Sequence, residues 1–460
     1  MDFDAEFDVI IIGAGGCGLT AAIALNDTNP DATVAVLDKA DRARGNTVLS
    51  SGSIPAAGTR FQRAAGIHDT PEMFQEDLLS VAGQHEAMHL TNALTQTSAE
   101  LVEWLVDHAN VNLTLIETYK HIGHRMHRLH APPSRRGADL INDLLLECER
   151  RDIPIVWNST VEELLSSDDQ VQGLRYSTPD GETVHIRARH VLLACNGYAA
   201  NRKVLSRFVP EIADAPYGGG MGSEGEAVEW GEALGAGLAN MKAYQAHASL
   251  ADPHGSLVTW TVVEKGGVVV DSSGQRFGDE TIGYSAFAAL ELQRPGPFWV
   301  IADTRVRDVT AAGQEEYAEL VAHGGVQEGS LEEICARQGI DAHGLCATLA
   351  TVRQCALGQA TDPFGRTQWG LGPLSETLTA TRIGPALFHT QGGLRIDVDG
   401  RVLNKAGEAI PGLWAGGGAA SGISGNKGSL GYMSGNGLLA ALGLGYRAGR
   451  ALAAELAALS

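Results

Sequence analysis

The fold is decided by residues 7–18, which read FDVIIIGAGGCG. The first six residues form a short apolar run, which is typical of a buried parallel strand. Glycines follow at once: Gly13, Gly15 and Gly18 have the spacing G-x-G-x-x-G, with Gly16 between them. Residues 19–27, LTAAIALND, predict a helix, and residues 33–39, TVAVLDK, predict a second strand. This order is a βαβ unit with a glycine-rich first turn.

The second strand ends in Asp38 and Lys39, about 20 residues after the glycines. Small residues let a backbone approach a pyrophosphate at a helix N-terminus, and an acid at this distance accepts hydrogen bonds from a ribose. We therefore predict an α/β, Rossmann-like domain that binds a dinucleotide, with these glycines, Asp38 and Lys39 at the cofactor.

Two later strand-like runs also end in glycine-rich turns. They are residues 190–205, HVLLACNGYAANRKVL, and residues 412–425, GLWAGGGAASGISG. Three such turns in one chain suit a cofactor that is contacted along its whole length. The predicted cofactor site therefore also includes Ala194, Asn196, Gly197 and Gly417. Val161, which lies outside these runs, is a further predicted cofactor contact.

Between these runs the sequence changes character. Residues 259–271, TWTVVEKGGVVVD, read as a strand, and the helical stretches SAFAALELQ, EEYAELVAHG and SLEEICARQ follow. We predict an inserted α+β capping domain over residues 244–373, with the dinucleotide domain formed by 1–243 and 374–460.

Composition excludes several classes of protein. The 460 residues carry a formal charge of −21, which argues against binding to nucleic acid or to an anionic membrane surface. No apolar run has the length of a membrane span, so we expect no membrane insertion. The six scattered cysteines include no C-x-x-C, which disfavours iron–sulfur, zinc and c-type haem sites. With the acidic start MDFDAEFD, these features predict a cytoplasmic protein.

The histidine-rich run of residues 121–130, HIGHRMHRLH, is not expected to bind a metal. It has no carboxylates or cysteines at ligand spacing, and arginines interrupt it. We predict no metal site.

Two further motifs resemble the fumarate reductase/succinate dehydrogenase flavoprotein superfamily, which includes the 3-ketosteroid dehydrogenases. Residues 44–52, RGNTVLSSG, are similar to its G-G-N-[ST]…S-x-G loop, with Arg44 in place of the first glycine. Residues 410–417, IPGLWAGG, are similar to its I-P-G-L-[YF]-A-x-G segment, and Asp38 stands where the family has Glu.

The resemblance implies an FAD domain with a mobile capping domain, and hydride exchange between flavin N5 and a substrate carbon. It implies non-covalent FAD, because the histidine that carries covalent flavin in membrane-bound relatives is absent from NTVLSSG. The cofactor contacts that it adds are Gly45, Asn46, Thr47, Ser51, Gly52, Gly437 and Leu438.

The substrate side retains part of the reductase pattern. Residues 245–249, QAHAS, resemble the family's Q-x-H-P-T segment, and residues 389–393, HTQGG, resemble its H-T-x-G-G segment. His247 and His389 are therefore candidates for facing the substrate. Arg307 falls near where a catalytic arginine could sit.

Two tyrosines depart from that pattern. Tyr432 stands where reductases carry an arginine, and Tyr284 stands four residues after Glu280, where they place another. A phenol cannot provide the bidentate grip on a carboxylate that a guanidinium provides. Ketosteroid dehydrogenases show tyrosines in both places. The resemblance thus implies Tyr284 as the base, and Tyr432 with the backbone N–H of Asn436 as donors to a ketone oxygen.

The sequence thus predicts an FAD-dependent dehydrogenase that introduces a C=C bond α,β to a ketone of a small cyclic substrate. A keto-carboxylate such as 4-oxocyclohexanecarboxylate suits the retained histidines and arginines. The expected partners are a small-molecule ketone or keto-acid and an unidentified electron acceptor. The alternatives are a fumarate-reductase-like enzyme acting on an unsaturated acid, a 3-ketosteroid dehydrogenase, and a flavin-binding electron-relay protein without turnover.

Overall fold

The protein is described by a computed structural model over residues 3–118, 120–121, 123–167 and 170–459. In that part of the chain the strands, in order, are β1 Ala5–Ile12, β2 Val34–Leu37, β3 Ile54–Pro55, β4 Thr114–Leu115, β5 Leu129–Ala131, β6 Ile155–Val156, β7 Thr160–Ser167, β8 Gln170–Ser177, β9 Thr183–Leu193, β10 Leu238–Ala239, β11 Lys242–Ala251, β12 Val268–Asp271, β13 Phe298–Asp303, β14 Gln327–Gly329, β15 Leu378–Thr390, β16 Gly393–Leu394, β17 Arg401–Leu403, β18 Ala409–Ala415 and β19 Lys427–Gly428.

The helices of the described chain are α1 Gly16–Thr28, α2 Asn46–Leu49, α3 Arg60–Ala64, α4 Pro71–Ala82, α5 Met88–Asp107, α6 Gly137–Arg150, α7 Arg202–Phe208, α8 Glu226–Ala233, α9 Thr261–Glu264, α10 Tyr284–Glu291, α11 Thr304–Gly313, α12 Glu315–Ala322, α13 Leu331–Gln338, α14 Ala342–Ala356 and α15 Asn436–Leu459. Short 3-10 helices lie at Pro210–Ile212, Glu280–Ile282 and Gly417–Ala419. No helix of the described residues is both long enough and apolar enough to span a membrane.

The chain folds into two compact units. Unit 1 comprises the chain up to Ala213, Gly219–Tyr244 and the chain from His389 onwards. Unit 2 comprises Asp214–Gly218 and Gln245–Phe388.

Unit 1 is built on a sheet with the strand order β17-β18-β9-β1-β2-β6. β18, β9, β1, β2 and β6 run parallel, β17 is antiparallel to β18, and the hairpin β7–β8 joins the sheet through β9. The centre of β1, Val9–Ile11, is fully buried, as expected for a parallel strand covered on both faces. The predicted α/β, Rossmann-like class is confirmed.

Helices α1 and α15 pack backbone against backbone in unit 1. A Cβ at Gly445 would lie 2.3 Å from Cys17 O, and one at Gly449 would lie 2.3 Å from Ala21 O. Only glycine permits this approach, so the long C-terminal helix is tied to the helix that follows the first glycine turn.

Unit 2 contains the sheet order β12-β13-β15-β11, with β14 also paired to β15. The predicted helical stretches coincide with α10, α12 and α13. The predicted strand over residues 259–271 is partly wrong: its first half forms the helical turn α9, and only Val268–Asp271 pairs with β13. β-branched residues favour strands, but here a turn at residues 265–266 separates the two elements.

Unit 2 extends beyond the insert predicted from sequence. It continues past residue 373 to Phe388 because β15 pairs antiparallel with Phe298–Asp303. Asp214–Gly218 also belongs to it, since Gly218 N–H donates to Leu387 O at 2.9 Å.

Candidate active site

The three glycine-rich turns lie side by side in unit 1. They follow β18, β9 and β1, which are adjacent and parallel, and Asp38 follows the next strand, β2. The carboxyl ends of parallel strands meet at one edge of a sheet. At a strand spacing of about 4.8 Å, the four ends form a row about 14 Å long. An extended ligand can be contacted along that row.

The first turn has the geometry expected of a phosphate site. Gly13 has φ +112°, and a Cβ there would lie 2.5 Å from Ala194 O. A Cβ at Gly18 would lie 1.9 Å from Gly13 O, whereas one at Gly15 would meet no atom within 4 Å. The turn is therefore closed on its protein side and open beside Gly15, at the N-terminus of the 13-residue helix α1.

Asp38 and Lys39 occupy the end of β2 as predicted, and both have protein partners. The Asp38 carboxylate accepts hydrogen bonds from Ala14 N–H at 2.8 Å and Ala40 N–H at 2.9 Å. Lys39 forms ion pairs with Glu224, at 2.6 Å, and with Glu226. Lys39 thus ties the first turn region to a second loop.

The second loop, residues 219–225, is a part of the site that our sequence reasoning missed. Gly220 N–H donates to Asn46 Oδ1 at 2.5 Å, and Ser223 Oγ accepts from Asn196 Nδ2 at 2.6 Å. With Glu224 on Lys39, the loop joins three predicted cofactor residues. Its sequence, GGMGSEG, is glycine-rich, but it does not follow a strand.

The segment from Gly45 to Gly52 lies against the first turn. A Cβ at Gly16 would lie 2.8 Å from Thr47 Oγ1, so Thr47 packs on the N-terminus of α1. Ser51 Oγ is 2.9 Å from Ser53 Oγ, and Gly52 N–H donates to Ser50 Oγ at 3.1 Å. These bonds hold the loop in a defined path beside the phosphate turn.

Asn196, in the turn after β9, makes several hydrogen bonds through its side chain. Its Oδ1 accepts from Gly197 N–H at 2.9 Å and lies 3.0 Å from His389 Nε2. Because an amide oxygen only accepts, the His389 proton is assigned to Nε2. His389 Nδ1 then accepts from Gln391 Nε2 at 3.1 Å.

His389 is therefore engaged through both ring nitrogens. Burial lowers its pKa to about 4, so the ring is neutral at physiological pH. In this arrangement it orients Asn196 rather than offering a ring nitrogen to a substrate.

Two of the remaining predicted cofactor residues lie at opposite ends of the row of strand ends: Gly417 after β18, and Val161 near Asp38. Gly417 and Cys17 are in contact, since a Cβ at Gly417 would lie 3.0 Å from Cys17 Cβ. Burial raises the pKa of Cys17 to about 12, as expected for a packing thiol. At the other end, Val161 is buried two residues after Ser159, whose N–H donates to Asp38 O at 2.8 Å.

These residues fit FAD. The open space beside Gly15 and the adjacent helix N-terminus suit a pyrophosphate, and Asp38 has carboxylate lone pairs beyond the two that accept backbone hydrogen bonds. The row of strand ends continues past Asn196 to Gly417, which suits a second nucleotide-sized half.

Tyr432 lies at the N-terminus of α15. Its hydroxyl is 3.5 Å from the position that a Cβ on Gly437 would take. Helix α15 has 24 residues, and its first N–H groups lack intrahelical acceptors. Leu438, the other predicted contact in this turn, is buried.

Asn436 departs from the expected role. Its backbone N–H, predicted to face a ketone oxygen, donates to Met433 O at 3.1 Å. Its side-chain Nδ2 donates to Ser424 Oγ at 3.3 Å. Asn436 therefore closes the turn that carries Tyr432.

In unit 2, Tyr284 and His247 form a stacked pair. Their ring centroids are 4.4 Å apart with an interplanar angle of 13°. Trp260 meets the same histidine edge-on at 6.0 Å, and Phe388 is tilted against it at 5.8 Å. The structure thus brings two of the predicted catalytic residues together in an aromatic cluster.

The protonation state of His247 follows from its neighbours. Ser249 N–H donates to His247 Nδ1 at 3.2 Å, and Ser249 Oγ–H donates to Val258 O at 2.6 Å. Nδ1 is therefore the acceptor, and the proton is assigned to Nε2. Burial lowers the His247 pKa to about 3, so this ring is a neutral donor.

A buried ion-pair network fixes the chain just before Tyr284. The Glu280 carboxylate accepts from Arg276 at 2.7 Å and from Arg366 at 3.1 Å. The Glu280 carbonyl accepts from Trp260 Nε1–H at 3.1 Å. The network thereby connects the start of α10 to the tryptophan beside His247.

Arg307 lies on α11 and pairs with acidic side chains. Its guanidinium contacts Asp308 at 2.7 Å and also Glu328. The structure does not bring it to the Tyr284–His247 cluster by any contact among the described residues, and its charge is matched by these two partners.

The histidine-rich run belongs to unit 1 and is organised by ion pairs. Arg128 is fully buried and pairs with Asp69 at 2.6 Å and Asp77 at 2.5 Å. Residue 122 of the run lies outside the described residues. In the described chain, no group of three or more His, Cys, Asp and Glu side chains is arranged to hold a metal ion.

The fold and this site together define an FAD-binding oxidoreductase. Comparison with known proteins agrees: the family model described as "FAD binding domain" matches residues 8–432. The chain belongs to this family.

Relatives of two kinds share the architecture. The chain is 30% identical over 427 residues to the NADH:fumarate oxidoreductase of Klebsiella pneumoniae, covering 92% of this chain and 45% of that one. The open conformation of a flavocytochrome c3 fumarate reductase superposes with a TM-score of 0.82 at 26% identity, covering 98% of this chain and 79% of that one. The 3-ketosteroid-Δ4-(5α)-dehydrogenase of Rhodococcus jostii RHA1, in complex with 4-androstene-3,17-dione, gives a TM-score of 0.78 at 25% identity over 98% of both chains.

The chain thus spans less than half the length of the first of these relatives. The shared feature is the FAD-dependent oxidoreductase architecture, which occurs in both reductases and dehydrogenases.

Proposed function

We propose that the protein is an FAD-dependent dehydrogenase that desaturates the bond α,β to the ketone of a small cyclic substrate. The observation that carries the proposal is the Tyr284–His247 stack in an aromatic cluster, with rings 4.4 Å apart. As a phenolate, Tyr284 can remove an α-proton, and in either protonation state it offers no positive charge to a carboxylate.

The chemistry divides between two tyrosines. Tyr284, ionised to the phenolate, takes the α-proton and becomes the phenol, and Tyr432 donates a hydrogen bond to the ketone oxygen as it gains enolate character. FAD, when bound, supplies N5 as acceptor of the β-hydride, so that loss of one proton and one hydride leaves the C=C bond. The N-terminus of α15 supports Tyr432, because its positive end stabilises negative charge on an oxygen beside it.

The ion pairing of the arginines in unit 2 also supports a dehydrogenase over a dicarboxylate reductase. A dicarboxylate reductase needs guanidinium groups that are available to the substrate. In unit 2, Arg276 and Arg366 are buried in the Glu280 network, and Arg307 is paired with Asp308 and Glu328. The positive charges of these three arginines are therefore matched by carboxylates of the same unit.

A reductase of an unsaturated acid is the second candidate. It is favoured by the 30% identity to an NADH:fumarate oxidoreductase, since reductases use the same cofactor frame in the opposite direction. In that case Tyr432 would be only a wall of the pocket.

Anaerobic absorbance spectroscopy separates the two candidates. We expect cyclic ketones, with and without a carboxylate, to bleach the oxidised flavin, and we expect fumarate to re-oxidise the reduced flavin slowly. Tyr432→Phe should lower the rate of bleaching about 10²–10³-fold, the usual effect of losing one such donor. Fast re-oxidation by fumarate without bleaching by any ketone would establish the reductase instead.

A further inference from the structure

We propose that His124 is a positioning residue for Tyr432. The inference rests on the proposed function and adds a residue that touches neither substrate nor cofactor in it. His124 lies in the histidine-rich run, and its side chain reaches the turn of residues 431–436, which carries the tyrosine.

The contact is a single, well-defined hydrogen bond. His124 Nε2 lies 2.9 Å from the carbonyl oxygen of Ser434, two residues after Tyr432. Because a carbonyl only accepts, the histidine donates from Nε2. The ring is 4% exposed, and burial lowers its pKa to about 4, so it is a neutral donor.

The other ring nitrogen of His124, Nδ1, is unsatisfied within the described part of the folded protein. His124 Nδ1 is buried and has no hydrogen-bond partner among the described residues. A buried acceptor without a partner destabilises the folded state, and an unsatisfied group in a native protein calls for a reason. We assign that reason to the bond on the Tyr432 turn.

The neighbours of His124 hold it rigidly. Asp77 accepts from the backbone N–H of Arg125 at 2.9 Å and pairs with the buried Arg128. A Cβ at Gly123 would lie 2.8 Å from Met433 Sδ, so the two segments touch next to the hydrogen bond. The ion pairs therefore fix the segment, and His124 transmits that fixed position to the turn.

The opposite side of the turn is held by other contacts. Asn436 N–H donates to Met433 O, and a Cβ at Gly435 would lie 2.6 Å from Pro55 Cδ. The turn therefore survives loss of the histidine bond, but the carbonyl at its centre gains freedom. The Tyr432 hydroxyl would then lose its fixed place over the N-terminus of α15.

His130 provides a matched control. It lies on the same run, is fully buried, bonds through Nε2 to Thr59 Oγ1 at 2.9 Å, and also has a buried Nδ1 without a described partner. It has no described contact with the Tyr432 turn. Both histidines are thus equivalent as packing residues and differ in what they hold.

The test compares His124→Leu, His124→Gln and His130→Leu in the full-length, FAD-loaded protein. His124→Leu should lower kcat for ketone oxidation about tenfold with little change in KM, since the lost interaction acts on the transition state. His124→Gln keeps a donor near the Nε2 position and should restore most of kcat. His130→Leu should lower the melting temperature to a similar extent and leave kcat within about twofold.

A spectroscopic readout isolates the effect at Tyr432. A 4-substituted phenol, used as an enolate mimic, should give a charge-transfer band with oxidised flavin, and its apparent pKa should rise in His124→Leu but not in His130→Leu. In a Tyr432→Phe background, His124→Leu should cost no further activity. A full tenfold loss in that background, or equal kcat in the two leucine variants, would overturn the positioning role while leaving the dehydrogenase intact. Absence of ketone turnover in the wild type would overturn the proposed function, and His124's role with it.

Discussion

The cofactor edge of unit 1 and the aromatic cluster of unit 2 are built from different parts of the chain. At the edge, glycines and backbone N–H groups define the shape, as at Gly13 and Gly18. In the cluster, side chains define it, as in the stack of Tyr284 on His247. The backbone geometry of the edge restricts which residues can replace its glycines. Under the proposed function, exchange of one side chain in the cluster would alter the reaction that the same cofactor can serve.

The most damaging change should be at the cofactor edge. Gly18→Ala places a Cβ 1.9 Å from Gly13 O, so the first turn must open. We expect protein that retains no FAD and unfolds at a much lower temperature, as measured by flavin absorbance and calorimetry. Gly15→Ala is the control: it meets no protein atom within 4 Å, so it should fold normally and bind FAD more weakly. Normal FAD content in Gly18→Ala would show that the turn can relax.

Acid should affect unit 1 more than unit 2. Burial lowers the pKa of five histidines in unit 1 to about 3 or 4: His85, His121, His124, His130 and His389. In unit 2 it lowers that of His247 to about 3. The unfolded chain binds these protons near pH 6.5, so stability is present above that pH and is lost on acidification toward pH 4.

The expected size is up to about tenfold in the folding equilibrium per histidine per pH unit below 6.5. Urea unfolding at pH 7.5, 6.5 and 5.5 measures this pH dependence of the folding equilibrium. Hydrogen exchange at the same pH values assigns the change in stability to each unit. His130→Leu should reduce the proton uptake on unfolding by one. An unfolding midpoint that does not change between pH 7.5 and 5.5 would contradict the burial of these rings.

The cluster of unit 2 is tested through Tyr284, its proposed base. Tyr284→Phe preserves the ring that stacks on His247 and removes the hydroxyl. Ketone-dependent flavin reduction should fall about 10²–10⁴-fold, the usual contribution of a positioned acid–base group, with FAD content unchanged. Tyr317→Phe, at a fully buried tyrosine of the same unit, should have no effect on this rate. Activity of Tyr284→Phe near that of the wild type would mean that another group takes the proton.

The smallest effect is expected at Arg307. Its guanidinium is matched by Asp308 and Glu328, and partly exposed ion pairs contribute little. Arg307→Ala should leave kcat/KM for ketones within about twofold. A loss of tenfold or more would place this arginine at the substrate.

The sequence allowed the βαβ unit of unit 1 and its glycine-rich first turn to be predicted. The βαβ unit, its glycines and Asp38 have local signatures, because positive φ and close backbone approach restrict the residue type. The loop around Ser223 and Glu224 was missed, since its contacts with Lys39 and Asn196 join residues far apart in the chain.

The details of the candidate site were less accessible to sequence. The bond of His389 to Asn196 joins residues far apart in the chain, so the sequence does not show that both ring nitrogens of this histidine have partners. The Asn436 N–H donates to Met433 within its own turn, and this depends on the exact turn geometry. Unit 2 ends at Phe388 because β15 pairs with β13. The sequence near residue 373 contains no signal for this long-range pairing.

The glycine contacts between α1 and α15 fix the distance between the N-termini of these two helices. Gly445 touches the first turn of α1 at Cys17, and it lies nine residues after Asn436, where α15 begins. At a rise of roughly 1.5 Å per residue, this places the two helix N-termini about 14 Å apart along α15. Two positively polarised ends held at a constant separation favour a ligand that carries two electronegative groups at a matching distance. One residue inserted between Asn436 and Gly445 would turn the end of α15 by roughly 100° and disrupt this match without altering any residue that lines the site.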